Sequence, residues 1–198
     1  AQSLRARLYE APYYRLVHAE ADGLPGVIID RFGDLAVIQP NAAWAEAHLA
    51  ELAAALMDVT GVTRIVKNGT GRSRGLEGLA EETLLLTGQV DGPLPVPMNG
   101  ATYMADVTGG QKTGLFFDQR DNHAFAKRLA KGARMLDVFS HVGGFALAAL
   151  AGGAESALAV DSSAPALALA SRGAEASGFA SQFATRQGDA FAVMESLA

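Results

Sequence analysis

The sequence predicts an α/β protein in two domains: a small N-terminal α+β domain over residues 1–92, then, over 93–198, a β-hairpin leading into a partial Rossmann-like parallel sheet. Three observations predict it. From Met135 onward, short apolar runs that suit buried parallel strands alternate with helix-forming segments. A glycine pair, Gly143-Gly144, stands between the first such run, Met135 to Phe139, and the helix former FALAALAGG. Ahead of residue 93 the rhythm differs, with strands set apart by tight turns and one long amphipathic segment.

Taken in order, Tyr14 to Val17 and Val27 to Asp30 read as strands around the turn DGLPG at 22–26. RFGD at 31–34 is a second turn, and LAVIQP continues as a strand to Pro40. From Trp44 to Val59 the residues Trp44, Leu49, Leu52, Leu56 and Met57 fall largely on one face of a single helix. Val62 to Lys67 is a further strand, and the first domain ends near Val90. DGPLPVP at 91–97 carries three prolines and reads as a stiff connector. Asn99-Gly100 is a hairpin turn. GGQKTGLFFDQRDN then runs as a glycine loop into a basic helix around Asn122 to Lys131, and hairpin and loop are expected to cover the ligand side of the sheet.

Composition narrows the function classes. Apolar residues make up 49% of 198, enough for packed cores, with no run of eighteen that would span a membrane. The N-terminus lacks the apolar segment of a secretion signal, so a cytoplasmic protein is expected. The absence of cysteine excludes disulfides and thiolate metal sites. His18 and His48 have no second ligand at metal spacing. A net charge of −5 argues against nonspecific nucleic-acid binding by the whole surface. Locally, Arg64, Lys67, Arg72 and Arg74 lie between Gly61 and Gly75 without an acid, a candidate RNA-contacting patch, and a second basic stretch runs from Lys112 to Arg134.

A strand, a bend that lets backbone approach a ligand, and a helix N-terminus together make a nucleotide-cofactor site. Asp137, Asp161 and Asp189 each fall at the end of a strand. A carboxylate at Asp161 can accept both hydroxyls of a ribose, and Asp189 is placed to hold an adenine amino group. The bend does not spell GxGxxG, which disfavours a dinucleotide-dependent oxidoreductase and points to an adenosine cofactor without a pyrophosphate, S-adenosylmethionine foremost. The plain alternative is a βαβ unit whose glycines serve packing alone.

GGQKTGLFFDQRDN, followed by DVFSHVGGF and VDSS, resembles the S-adenosylmethionine-dependent 23S ribosomal RNA methyltransferases of the RlmI type, which methylate cytosine at carbon 5. The resemblance runs from about Tyr13 to the C-terminus, YRLVHAEADGLPGVIIDRFGD resembling the family's intermediate domain and NGATYMADV its hairpin. It implies a class I methyltransferase fold binding S-adenosylmethionine. Phe139, Ser140, Gly143 and Gly144 would line the methionine and ribose side. Asp161 would hold the ribose hydroxyls with Ser162 beside it, and Asp189 with Ala190 would flank the adenine. Thr113, Asp118, Gln119 and Arg120 would reach in from the preceding loop. The chain departs from the family pattern at His141-Val142, where Tyr-Thr is usual, and at His123, where Arg is usual.

The family's RNA-binding PUA domain, its Asp-Pro-Pro motif and its cysteine nucleophile have no counterpart in these residues. Cytosine becomes nucleophilic at carbon 5 only after a thiolate adds at carbon 6. The resemblance therefore implies part of a longer ribosomal RNA methyltransferase, inactive alone, against the alternative of a non-catalytic module that holds RNA or a partner. With three Rossmann strands, the first becomes an exposed apolar edge, which predicts pairing with a neighbouring chain as a homodimer.

Overall fold

Helix α1 (Gln2–Leu8) precedes a meander of three antiparallel strands, β1 (Tyr13–His18), β2 (Val27–Phe32) and β3 (Leu35–Pro40). A computed structural model describes residues 1–109 and 114–197, the side chain of Arg72 excepted. After β3 the chain crosses through α2 (Ala43–Ala47) and α3 (Leu49–Thr60) to β4 (Arg64–Asn68), which pairs parallel to β3. A parallel neighbour requires such a crossover, and a helix supplies it. Short helix α4 (Arg72–Leu76) and strand β5 (Thr83–Thr87) follow, giving the order β1-β2-β3-β4-β5. β3 is buried at every position, and Val27, Ile29, Ile38, Leu56, Val62 and Ile65 pack as this unit's core.

The single helix expected from Trp44 to Val59 is two. His48 leaves helical geometry at φ −108°, ψ 23°, and its side chain is exposed, so the break re-aims the apolar stripe of α3 at no burial cost. Gly61, left-handed at φ 71°, stops α3.

The second unit begins with the hairpin β6 (Leu94–Met98) and β7 (Ala101–Ala105). The expected proline connector is thus a strand. Pro95 and Pro97 alternate to its exposed side, where a missing N–H costs nothing on an edge. Asn99 (φ 55°) and Gly100 (φ 84°) form its two-residue turn. Then α5 (Arg120–Leu129), β8 (Arg134–Val138), α6 (Gly144–Ala151), β9 (Ser156–Asp161), α7 (Ala164–Ala176), β10 (Phe183–Gln187) and α8 (Ala190–Leu197) build a parallel sheet in the order β10-β9-β8. α6 is apolar on all sides, and Ala146 to Leu150 are buried.

β7 packs on α7 and α6, behind the helices, rather than over the ligand side of the sheet. Gly173 permits that approach: a Cβ there would lie 2.9 Å from the Thr102 carbonyl oxygen. The Ser177 hydroxyl locks the contact, accepting from the Thr102 N–H at 2.8 Å.

The two compact units are Ala1–Gly92 with Asp106–Gly114, and Pro93–Ala105 with Leu115–Ala198. Residues 106–114 therefore group with the first unit, where the sequence had assigned them to the second. Among the described residues no helix is long and apolar enough to cross a membrane.

Candidate cofactor site

The bend between β8 and α6 holds three left-handed residues: Phe139 at φ 61°, His141 at φ 50° and Gly143 at φ 76°. Two of them carry side chains, a conformation that persists only where surrounding contacts over-determine it. Two carboxylates do so here. Asp161, at the tip of β9, accepts the His141 N–H at 2.8 Å and the Ser163 N–H at 2.9 Å. Asp137, near the tip of β8, accepts the Ala146 N–H at 2.9 Å. The Ser140 N–H donates to Val160 O at 3.0 Å, extending the β8–β9 ladder one residue into the bend.

These partners separate the three aspartates. Asp137 is 4% exposed and turned onto the N-terminus of α6, so it is a structural cap and not part of an adenosine cradle as the sequence suggested. Burial pushes its carboxyl up to about 6, against the N–H groups of Ala146 and Phe145 that favour the anion. Asp161 is half-buried with one backbone N–H on each oxygen, and a carboxylate offers about four acceptor sites, so capacity for two more donors remains. Asp189 is exposed; its Oδ1 caps α8 by accepting from Phe191 N at 3.1 Å and Ala192 N at 3.0 Å, and its Oδ2 is bonded to none of the described residues. Ala190 is buried as the first residue of α8, and Ser162 is exposed.

Both glycines also answer to protein packing. A Cβ on Gly143 would lie 3.1 Å from Ala170 Cβ of α7, and one on Gly144 would meet the His123 imidazole at 2.5 Å. Their missing side chains admit α7 and α5, a packing reason for glycine that stands beside the expected approach of their backbone to a cofactor. Two side chains of the bend are left without a full set of protein contacts, Phe139 and Ser140. Phe139 is 70% exposed, its ring 6.4 Å from that of Phe191, itself 67% exposed. The Ser140 hydroxyl is buried with no hydrogen-bond partner among the described residues.

His123, from α5, is the residue sequence reasoning missed most clearly. It is buried between Tyr103, with ring centroids 6.1 Å apart, and Phe145 at 4.6 Å, against the Gly144 backbone. Burial pushes the imidazole down to about 4, so it is neutral near pH 7, and its Nδ1 has no partner among the described residues. Tyr103 is fully buried, donates from its hydroxyl to Gly144 O at 3.3 Å, and has its phenol raised by the same burial. Two signals marked the position without giving it a role: the departure from the family's usual Arg, and a spacing that puts His123 and Lys127 on one helix face, toward α6.

Of the preceding loop, Thr113 lies outside the described residues. Asp118 is exposed, the Gln119 side chain accepts from Asn122 at 2.9 Å, and the Arg120 carbonyl accepts from Asn99 of the hairpin turn at 2.9 Å. Phe116 brings the segment to the bend, its ring 4.9 Å from His141 and edge-on to it. Phe117 is core.

Two of the four cations proposed to contact RNA are consumed inside the first unit. Lys67 is 3% exposed, with Nζ 2.5 Å from Glu46 Oε1 and 3.2 Å from Glu82 Oε2. Arg74 is 1% exposed and donates to Glu46 Oε2 at 2.9 Å, to the Pro40 carbonyl, and to the Ala80 carbonyl at 2.8 and 3.2 Å. Arg64 pairs with Asp34 at 2.6 Å. A desolvated cation saturated by carboxylates has nothing to offer a phosphate, so Lys67 and Arg74 are core residues. The Arg72 side chain lies outside the described residues.

Acids at the tips of adjacent parallel strands, a bend with an unpartnered buried hydroxyl, and an exposed aromatic pair define an α/β protein that takes an adenosine cofactor. No cluster that could hold a metal ion is present among the described residues. Residues 83–180 match the S-adenosylmethionine-dependent methyltransferase family, and this segment of the chain belongs to it.

Among curated relatives, the Ribosomal RNA large subunit methyltransferase I of Tolumonas auensis is 44% identical over 163 residues, 81% of this chain and 41% of that protein. Its Salmonella enteritidis counterpart is 39% identical over 163 residues, 82% of this chain and 40% of that protein. The chain thus spans about two-fifths of the length of the curated relatives it matches. A Streptococcus mutans protein assigned as an S-adenosylmethionine-dependent methyltransferase superposes with a TM-score of 0.81 at 25% identity, over 94% of this chain and 48% of its own. SMU.776, crystallised with SAH and assigned as a methyltransferase, superposes with a TM-score of 0.85 at 24% identity, over 98% of this chain and 51% of its own.

Proposed function

We propose that this chain is the cofactor-binding portion of a cytoplasmic S-adenosylmethionine-dependent methyltransferase of ribosomal RNA, with cytosine carbon 5 of 23S rRNA as the target. The observation that carries the cofactor assignment is Asp161: it is anchored by one N–H from the bend and one from its own strand tip, and keeps acceptor capacity for a vicinal diol. When bound, S-adenosylmethionine supplies an electrophilic methyl group.

The chain's own residues bind and orient it. Asp161 accepts the ribose hydroxyls, with Ser162 beside it. Asp189 Oδ2 accepts from the adenine amino group next to Ala190, and Phe139 and Phe191 cover the ring. The Ser140 hydroxyl, otherwise unpartnered, meets the polar end of the cofactor. Thr113, Asp118, Gln119 and Arg120 are assigned to the amino-acid portion, where a guanidinium suits a carboxylate.

The chain has no cysteine to add at cytosine carbon 6, so these residues alone bind the cofactor without completing the reaction. RNA contact belongs to the whole protein and not to Lys67 or Arg74. Self-association through an exposed sheet edge is part of the same reading. β8 ends the parallel sheet among the described residues, and its Leu136 is 43% exposed.

Calorimetry and thermal unfolding with SAH and with NAD test the cofactor assignment. Binding of SAH alone, with a rise in melting temperature, is expected. Equal response to NAD, or none to SAH, refutes it.

A further inference from the structure

Four strands end the two larger sheets and differ in how their edges are guarded; the uncharged strands of the β6–β7 hairpin instead bury Val96, Met98, Ala101 and Tyr103. β1 carries Arg15 and His18, β8 carries Arg134 and Asp137, and β10 carries Arg186. β5 carries no charge. It reads Thr83-Leu84-Leu85-Leu86-Thr87, and its leucines are 41%, 47% and 36% exposed. An uncharged apolar edge with free backbone donors and acceptors is a template for another strand.

The sequence of this edge is a palindrome about Leu85. We propose that two copies of this chain pair β5 to β5, antiparallel, across a two-fold axis through Leu85. In that register Leu85 faces Leu85, Leu84 faces Leu86 and Thr83 faces Thr87, so one patch serves both partners, as an isologous contact demands. One step outward, Glu82 of each copy meets Gly88 of the other. Gly88 lies beneath Arg64, whose Cγ is 2.6 Å from where a Gly88 Cβ would stand. Glu82 is half-exposed and already pairs with Lys67 at 3.2 Å, and Arg64 already shares its guanidinium with Asp34. This charge contact therefore fixes register more than it adds strength.

A one-residue bulge separates Leu85, opposite Val66, from Thr87, opposite Ile65. The extra residue, Leu86, adds twist and shortens the regular run, which places the association at the weak, concentration-dependent end. The inference deepens the self-association named above by moving it from β8 to β5, and it is independent of the cofactor.

Sedimentation of the full chain over a concentration series tests it, with Leu85→Lys, Leu136→Lys and Leu85→Cys alongside wild type. Wild type and Leu136→Lys should approach twice the monomer mass, and Leu85→Lys should stay monomeric with an unchanged circular dichroism spectrum. Because the chain has no cysteine, Leu85→Cys places one thiol per copy at the axis. Directly opposed strand residues lie about 4.5–5.5 Å apart, within disulfide reach, so mild oxidation should give a single covalent dimer. A dimer that survives Leu85→Lys and dissolves in Leu136→Lys overturns the β5 contact while leaving edge pairing through β8. A Leu85→Cys protein that does not cross-link overturns the register. A monomer at every concentration overturns both edges, and none of these outcomes bears on SAH binding.

Discussion

Both units bury charge, and they satisfy it in opposite ways. In the first, Glu46, Lys67, Glu82 and Arg74 saturate one another and two carbonyls, closing the segment after β4 onto the sheet. In the second, Asp137 and Asp161 are satisfied by backbone N–H groups, which leaves acceptor capacity on Asp161 and an orphaned hydroxyl on Ser140. Ion pairs that consume each other make structure; carboxylates held by backbone keep something for a ligand. The same side-chain chemistry thus reads as core in one place and as site in the other, and the partner decides.

The sharpest way to break this contrast is to remove Glu46, the carboxylate both cations share. Glu46→Ala should cost about 3 kcal/mol in urea unfolding of the first unit, since it strands buried charge, and should leave SAH affinity unchanged. Burial raises the Glu46 carboxyl, but Lys67 and Arg74 outweigh it and hold the group below its usual range.

The second unit should answer to pH instead. Asp137, raised to about 6, binds its proton more tightly folded than unfolded, so its contribution falls as pH rises from about 4 to 6 and is constant above. His123, lowered to about 4, does the reverse: its contribution is present above about 6.5 and is lost as pH falls toward 4. His141, lowered by burial against the opposing pull of Asp161, adds to the His123 direction. Each large shift is worth about 3 kcal/mol, and in wild type they oppose. Asp137→Asn should make stability climb with pH between 4 and 6.5, and His123→Phe should flatten or reverse that slope. Parallel profiles for the two variants would show that neither group titrates as its burial requires.

Asp161→Asn keeps the shape and removes the charge. SAH affinity should fall by about 1.5–3 kcal/mol, roughly 10- to 150-fold, with unfolding little altered. Loss of fold in place of affinity would reassign Asp161 to structure. Gly144→Ala drives a methyl into the His123 ring and should cost about 1–3 kcal/mol, recovered in part by His123→Ala in a double-mutant cycle. The smallest effect is expected at Arg64–Asp34, a partly exposed pair: Arg64→Ala should change stability by less than about 1 kcal/mol.

Much of the second unit was legible in the chain. The strand β8, the bend, the acids at the tips of β9 and β10 and the Asn99-Gly100 turn follow from local rules, because an apolar run, a helix former and a left-handed dipeptide each declare themselves within a few residues. The misreadings have one source. Pro95 and Pro97 looked like a linker because tolerance of proline depends on which side of a strand lacks a partner. Trp44 to Val59 looked like one helix because the exposed break at His48 leaves the apolar period almost intact. Lys67 and Arg74 looked like a phosphate patch because Glu46, their partner, lies in an earlier helix.

What the sequence determined by itself was the order of elements and the acids that end them, since periodicity and turn chemistry act over short stretches of chain. Only the tertiary structure decided what each charged or glycine position faces. Gly144 opens onto His123, Asp137 onto its own helix and Asp161 onto the bend, because burial and partner choice are set by residues that meet in space and are far apart along the chain.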